Sequence, residues 1–320
     1  MAPCVSVCSN DSGYFNYTNE SLGRNKYYGY LVTGTLSITT NVMLVTLIFG
    51  KSVLRKAYML YGVMAVGDVC LGLAHFTSAA YRLTFSPGIY GGFKPIQCIM
   101  LPFTFLFIIG LQLPSLTMLI LAFQRFMAMF RPIWYVSAWT TRTSRQLSAG
   151  LIVSVACSCG VMSLVSTRRN GRIVEPICRA FYAWGPYYTS FNNKLLIATT
   201  ASFIALNIAT ITVFARYRKK YLGWNQFDLR AELQRLQVVF VISGTSAVCF
   251  LIPHVLAALY SWGLMAEEDF LKYLVPAFYV VGLNPVINII VYLCLLHDFR
   301  KETLKIFKRS TIVLAYAPHN

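Results

Sequence analysis

Charge is what this sequence has least of. Charged side chains make up 12% of its 320 residues, and only 11 residues are Asp or Glu, whereas an average soluble protein is about 25% charged. So sparse a set cannot cover the surface of a water-soluble globule of this length. With 57% apolar residues and a mean hydropathy of +0.57, the solvent that suits the chain is lipid. The sequence also lacks a Pro- or Ser-rich linker, an internal repeat, a Gly-rich phosphate loop and a nucleophile–base constellation. One membrane domain with short tails follows, and enzymatic chemistry is not expected. The four histidines (His75, His254, His297 and His319) stand apart, and no Cys spacing suits zinc, so no metal set of that kind is expected. What the chain has in excess is positive charge, 28 Lys and Arg for a net +17. That balance suits nucleic acid, acidic ligands or a membrane surface, and its distribution separates them.

Seven stretches are free of charge or nearly so: 27–50, 57–81 (interrupted by Asp68 alone), 95–124, 146–167, 195–215, 236–265 and 273–297. Each reaches the roughly 20 residues that a helix needs to cross hydrocarbon, and backbone in lipid must satisfy its hydrogen bonds within its own segment. The expectation is an all-α membrane protein, a seven-transmembrane helix bundle with spans at about 27–50, 57–81, 97–124, 146–167, 191–215, 236–262 and 271–297. The aromatic run 180–193 reads as too short and too polar to span. Of the segments between spans, those on one side hold 18 Lys and Arg and those on the other 10, so the richer side is expected to be cytoplasmic. Three glycosylation sequons, at Asn10, Asn16 and Asn19, all fall in the first 21 residues. They assign residues 1–26 to the outside of the plasma membrane as a glycosylated tail. Residues 298–320 are then cytoplasmic, with a short amphipathic eighth helix. The basic excess mostly faces anionic lipid and an acidic protein partner, and not nucleic acid. No basic-then-apolar leader opens the chain, so the first span is expected to direct insertion itself.

Three features carry chemistry. Asp68 is the only acid in the interior of a span, and a charge at mid-bilayer is costly. It should face the bundle and meet polar side chains, Asn41 and Asn288 foremost, as helix–helix glue at the least. Arg125 closes the charge-free window 95–124, at the cytoplasmic edge of the third span. Pro253, inside the sixth, removes a backbone hydrogen bond and bends its helix, forming a hinge.

The run Gln124-Arg125-Phe126 followed by Pro132 and Tyr135, the Ala65-Val66-Gly67-Asp68 stretch with Asn41, the phrase Asn288-Ile289-Ile290-Val291-Tyr292, and Asp298-Phe299-Arg300 share an order and spacing. Together they resemble the rhodopsin-like (class A) G-protein-coupled receptors, most of all the nematode serpentine chemoreceptors of the srsx type. The resemblance covers roughly residues 27–309. It implies a receptor that binds an extracellular ligand, a chemosensory cue or neuropeptide, and activates a heterotrimeric G protein by opening its cytoplasmic face. It further implies an activation switch at Gln124, Arg125, Phe126, Asn288 and Tyr292, and a sodium- or proton-sensitive polar network of Asn41, Asp68 and Asn288, with a bound sodium ion as the sole candidate cofactor. A hinge at Phe250 and Pro253 and a disulfide between Cys98 and Cys178 complete the set.

This sequence departs from that pattern in places. Gln124 replaces the acid that holds the arginine, and Leu251 replaces the tryptophan two residues before Pro253. Pro114 and Ser115 stand where a sodium-binding serine would come. Glu232, 21 residues before Pro253, either takes over the restraint on Arg125 or pairs with Arg235 or Lys220 on a solvated loop. The window 273–297 has no Lys, which excludes retinal binding. Cys4 and Cys8 offer either a second outer bridge or competing thiols. Arg168, Arg169, Arg172 and Arg179 stand against one acid, Glu175, between the fourth and fifth spans; they read as an attractor of acidic ligands or as an ordinary solvated loop. A heptahelical ligand-gated channel or transporter is the alternative. A lone intramembrane acid without repeats opposes a transporter, and outside sequons oppose an inverted channel.

Overall fold

The computed structural model describes residues 14–17, 24–168, 173–220, 244–245, 248–249, 251–256, 258–260, 263–295, 300–301, 303 and 305. In chain order the helices are α1 (Arg24–Gly50), α2 (Ser52–Leu83), α3 (Pro95–Ile99), α4 (Pro102–Phe130), α5 (Pro132–Ala138), α6 (Thr141–Thr167), α7 (Ala180–Lys220), α8 (Leu251–Tyr260) and α9 (Glu267–Leu295). The helices α1, α2, α4, α6 and α7 are each long and apolar enough to cross a membrane, and α8 and α9 carry shorter apolar stretches from the sixth and seventh charge-free windows. The molecule is an all-α membrane protein built as a seven-helix bundle. In it α1 packs on α2, α2 on α4, and α4 on α6 and α7, while α9 returns to α1 and α2.

Small residues set the tightest crossings, as expected where lipid gives no hydrophobic drive between helices. A Cβ on Gly34 of α1 would stand 2.8 Å from the Gly72 carbonyl oxygen of α2, and one on Gly72 would stand 3.0 Å from the Gly34 carbonyl oxygen. At Gly110 of α4 a Cβ would lie 2.6 Å from the Leu71 backbone. Outward faces are apolar and exposed, as at Val32, Phe76, Val153, Leu164 and Ile208, the pattern of a lipid-facing surface.

Helix ends differ from the charge-window expectation. The third span breaks into α3 and α4, because Leu101, preceding Pro102, is held extended at φ −72°, ψ 127°, the conformation that the next proline ring imposes. Past Arg125, α4 runs on to Phe130, and the break at Arg131 again precedes a proline, Pro132. Arg125 is therefore inside its helix and not at its edge. The aromatic run 180–193 is helical: it forms the first part of α7, which departs from helical geometry only at Gly185 (φ 76°, ψ 165°) before Pro186. At the other end of the chain order, α2 begins at Ser52, with a non-helical residue at Tyr58. α6 begins at Thr141, capped by the Thr140 hydroxyl, which accepts from the Thr143 amide at 3.2 Å. Of the expected sixth span, residues 236–243, 246–247, 250, 257 and 261–262 lie outside the described residues. Arg300, Lys301, Thr303 and Lys305 are helical, with Thr303 buried and the three bases exposed, a small amphipathic face.

Two strands appear that the sequence reading did not foresee. β1 (Tyr14–Tyr17) pairs antiparallel with β2 (Gly88–Gly91) in the loop after α2, Asn16 opposite Ile89. Beyond β2, Phe93 and Val174 exchange backbone hydrogen bonds of 2.9 and 2.8 Å. The loop after α2 is thus tied to both the N-terminal segment and the loop between α6 and α7.

Candidate functional site

At one end of the bundle, Cys98 of α3 and Cys178 form a disulfide with their Cα atoms 5.3 Å apart. Cys178 adopts a left-handed backbone (φ 46°) and its amide donates to the Glu175 carbonyl at 3.0 Å, so the chain turns sharply over the bundle. The C-terminal end of α2 holds this turn. Tyr81 donates its hydroxyl to the Pro176 carbonyl at 2.9 Å, and Arg82 donates to the carbonyls of Ile177 and Cys178, each at 3.2 Å. A crosslink spanning 80 residues removes roughly 4 kcal/mol of unfolded-chain freedom. Cys178→Ser is expected to lower the thermal unfolding midpoint of the purified protein and to abolish its response to dithiothreitol. A parent protein indifferent to reductant would contradict this role. Cys4 and Cys8 lie outside the described residues, while Cys70, Cys157, Cys159, Cys249 and Cys294 are free thiols.

Below this cap sit two buried polar groups that the sequence reading treated only as isolated histidines. His75 is stacked on Tyr30 (5.3 Å between centroids) and edge-on to Phe107 (5.2 Å), and Tyr30 meets Tyr279 of α9 at 4.8 Å. Across the bundle, Gln112 of α4 donates to Asn192 Oδ1 at 2.8 Å and to the Tyr188 hydroxyl at 3.2 Å. His254 Nδ1 of α8 lies 3.2 Å from Asn193 Oδ1 of α7. No local motif marks these residues; only the helix packing brings them together.

At mid-depth Asp68 is buried, as are Asn41 and Asn288. Asn288 reaches toward Asp68 as expected, whereas Asn41 does not meet it directly. Asn41 turns its amide onto its own helix, donating to the Ser37 carbonyl at 2.9 Å, the i−4 backbone contact that short polar side chains readily make. Ser37 Oγ then donates to the Asp68 backbone carbonyl at 3.1 Å. The Asn288 side chain approaches the Asp68 carboxyl, yet both carboxyl oxygens, Asn41 Oδ1 and Asn288 Oδ1 have no hydrogen-bond partner. Ser115 turns away from this layer and shares a 2.6 Å hydrogen bond with Thr199 of α7. Pro253 is buried in α8.

At the opposite end from the disulfide, Arg125 donates through Nη2 to the Tyr61 hydroxyl of α2, and its guanidinium lies 5.9 Å over the Tyr61 ring. Gln124 faces elsewhere, donating its amide to the Tyr135 hydroxyl of α5 at 2.9 Å. Phe126 stacks on Phe130 of the same helix at 5.4 Å and does not join Arg125. Tyr61 is the functional candidate that sequence reasoning missed. Glu232, Phe250, Asn10 and Asn19, with the side chains of Asn16 and Tyr292, lie outside the described residues.

Polar groups threaded through the depth of a seven-helix bundle, with an arginine held at one end and a covalent cap at the other, are the build of a serpentine membrane receptor. The family model described as serpentine type 7TM GPCR chemoreceptor Srsx matches residues 34–307, most of the chain. The protein belongs to that family of seven-transmembrane chemoreceptors. No curated protein matches it.

Proposed function

We propose that this protein is a chemosensory receptor of the rhodopsin-like kind, seated in the plasma membrane with its disulfide end outside, which binds an extracellular ligand and activates a heterotrimeric G protein at the Arg125 end. The observation that carries the reading is the state of Arg125. It is the cation in the inner part of α4, and a neighbouring helix orients it through Tyr61. A charged group held by one hydrogen bond and one ring face is readily released. In the proposed mechanism α8 swings about Pro253, Arg125 leaves Tyr61, and the opened crevice receives the G protein. Ligand acts by favouring the open population.

The mid-depth layer couples the two ends. Four partnerless oxygens, two of them on Asp68, make an all-oxygen donor set with one full charge, which fits a small hard cation such as sodium. Asn41, Asp68 and Asn288 are the residues that would hold it, and it would neutralise Asp68 within the bundle. Basal activity is therefore expected to fall when sodium chloride replaces choline chloride at constant ionic strength, and Asp68→Asn is expected to remove that difference. A variant that keeps the full sodium response would place the ion elsewhere.

The test of the functional reading is guanine-nucleotide exchange on heterotrimeric G protein by the reconstituted protein, paired with glycosidase treatment of cell-surface material. Exchange above protein-free membranes and a loss of apparent mass from Asn10, Asn16 or Asn19 are expected. No exchange by any heterotrimer, or an N-terminal tag reachable only after permeabilisation, would overturn the reading.

A further inference from the structure

We propose that the hydrogen bond between His254 of α8 and Asn193 of α7 is a second latch on the closed receptor, set on the bend at Pro253 and separate from the Arg125–Tyr61 contact. Asn193 and His254 are then positioning residues for the opening of the cytoplasmic face. The proposal rests on the receptor reading and adds to it the pair that holds the hinge shut.

α7 is the fixed side of this latch. Gln112 of α4 donates to Asn192 Oδ1 at 2.8 Å and to the Tyr188 hydroxyl at 3.2 Å, and Tyr188 shares a 2.8 Å hydrogen bond with Ser158 of α6. Two turns along α7 from Asn192, Thr199 shares its 2.6 Å hydrogen bond with Ser115 of α4. These contacts tie α7 to α4 and α6, so it is not free to follow α8. Successive residues of a helix stand about 100° apart around its axis, which lets two adjacent asparagines serve two neighbours. Asn192 is spent on α4, and Asn193 faces His254 with Oδ1 3.2 Å from Nδ1. Gln112, Asn192, Asn193 and His254 are all buried, where a hydrogen bond is stronger than in water.

α8 is the moving side. His254 directly follows Pro253, whose ring removes a backbone hydrogen bond and bends the helix. A helical side chain lies over the turn before its own Cα, so the His254 ring reaches back across the bend. Its bond to Asn193 therefore ties the turn at the proline to α7, and an outward swing of that turn must break it. An amide oxygen only accepts, which places the imidazole proton on Nδ1 and leaves Nε2 a bare acceptor. Nε2 has no hydrogen-bond partner, so the Asn193 bond is the polar hold on the ring. One neutral bond biases a two-state ratio by roughly two- to twelvefold, enough to favour the closed curvature and little enough to be given up on opening.

The experiment is ligand-free nucleotide exchange on one heterotrimer by the full-length reconstituted receptor, compared at equal amounts of folded protein. Asn193→Leu and His254→Phe are each expected to raise exchange roughly two- to twelvefold. The double variant should rise no further than either single, because both lose the same bond. Exchanging the partners, Asn193→His with His254→Asn, sets an amide against an imidazole again and is expected to return exchange toward the parent. Asn207→Leu is the control: this asparagine of α7 is also buried, but its amide donates to the Phe203 carbonyl of its own helix at 2.8 Å, so exchange should not change. Two single variants are used so that one that fails to fold, recognised by its unfolding midpoint, leaves the other to decide. Singles at or below the parent, or effects that add in the double, would overturn the proposal. So would an exchanged pair as active as the singles, which would assign the rise to loosened packing and not to the bond. Tyr61→Leu on the same preparation separates the two readings. If it exceeds the parent while the Asn193 and His254 variants do not, the latch alone falls, whereas no exchange above protein-free membranes by any of them sinks both.

Discussion

Replacing Gly110 by valine is expected to leave almost no folded receptor at the cell surface. A Cβ there would stand 2.6 Å from both the Cα and the amide nitrogen of Leu71, closer than real Cβ atoms come to anything. Because the obstruction is backbone, no rotamer change relieves it; α2 and α4 must separate. Overpacking a core typically costs about 1–3 kcal/mol, and parting two helices at the centre of the bundle belongs at or above the top of that range. Leu71, Ala74 and Ile108 around the crossing are fully buried, so their packing would be lost with it. Gly150→Val is the matched control, since nothing lies within 4 Å of a Cβ at Gly150. Surface expression and the unfolding midpoint are the measurements. A Gly110→Val receptor as abundant as the control would show that α2 and α4 do not cross as described.

Removing the Tyr61 hydroxyl is expected to raise activity in the absence of ligand. A hydrogen bond to a charged group contributes roughly 1.5–3 kcal/mol, and 1.4 kcal/mol corresponds to about tenfold in a two-state ratio. Tyr61→Phe should therefore shift the closed-to-open balance by roughly one to two orders of magnitude, while keeping the ring face beneath the guanidinium. Tyr61→Leu removes the ring as well and forfeits a further ~0.5–1 kcal/mol of cation–π attraction. Basal nucleotide exchange, corrected for surface expression, should rise from parent to Phe to Leu. Equal exchange in all three would free Tyr61 from any such role.

The spans themselves were legible because charge is excluded from hydrocarbon, so gaps between Lys, Arg, Asp and Glu trace the membrane. They trace the lipid, however, and not the helix. α2 starts at Ser52 and α4 ends at Phe130 because a helix continues through the interface, where charged side chains reach water. Leu101 and Gly185 broke the expectation through local backbone rules: one precedes a proline, and the other has a positive φ before one. Asp68 stood out as a lone acid, and Asn41 and Asn288 as its neighbours by resemblance, but the sequence did not show that Asn41 would spend its amide on Ser37. Tyr61, and the pairing of Tyr135 with Gln124, were hidden for a different reason. In a chain with 20 tyrosines, a tyrosine at interfacial depth looks like membrane anchoring, and only the packing of α2 and α5 against α4 shows which one faces Arg125 and which Gln124.

The most direct test of the central claim is ligand-free nucleotide exchange by the reconstituted parent, Tyr61→Leu, Arg125→Ala and the double variant, each with one heterotrimer in matched membranes. If Tyr61 restrains Arg125 and Arg125 engages the G protein, Tyr61→Leu exceeds the parent, while Arg125→Ala and the double variant both fall to the protein-free baseline. A double variant that retains the elevated exchange of Tyr61→Leu would contradict the account, because activation would then proceed without the arginine.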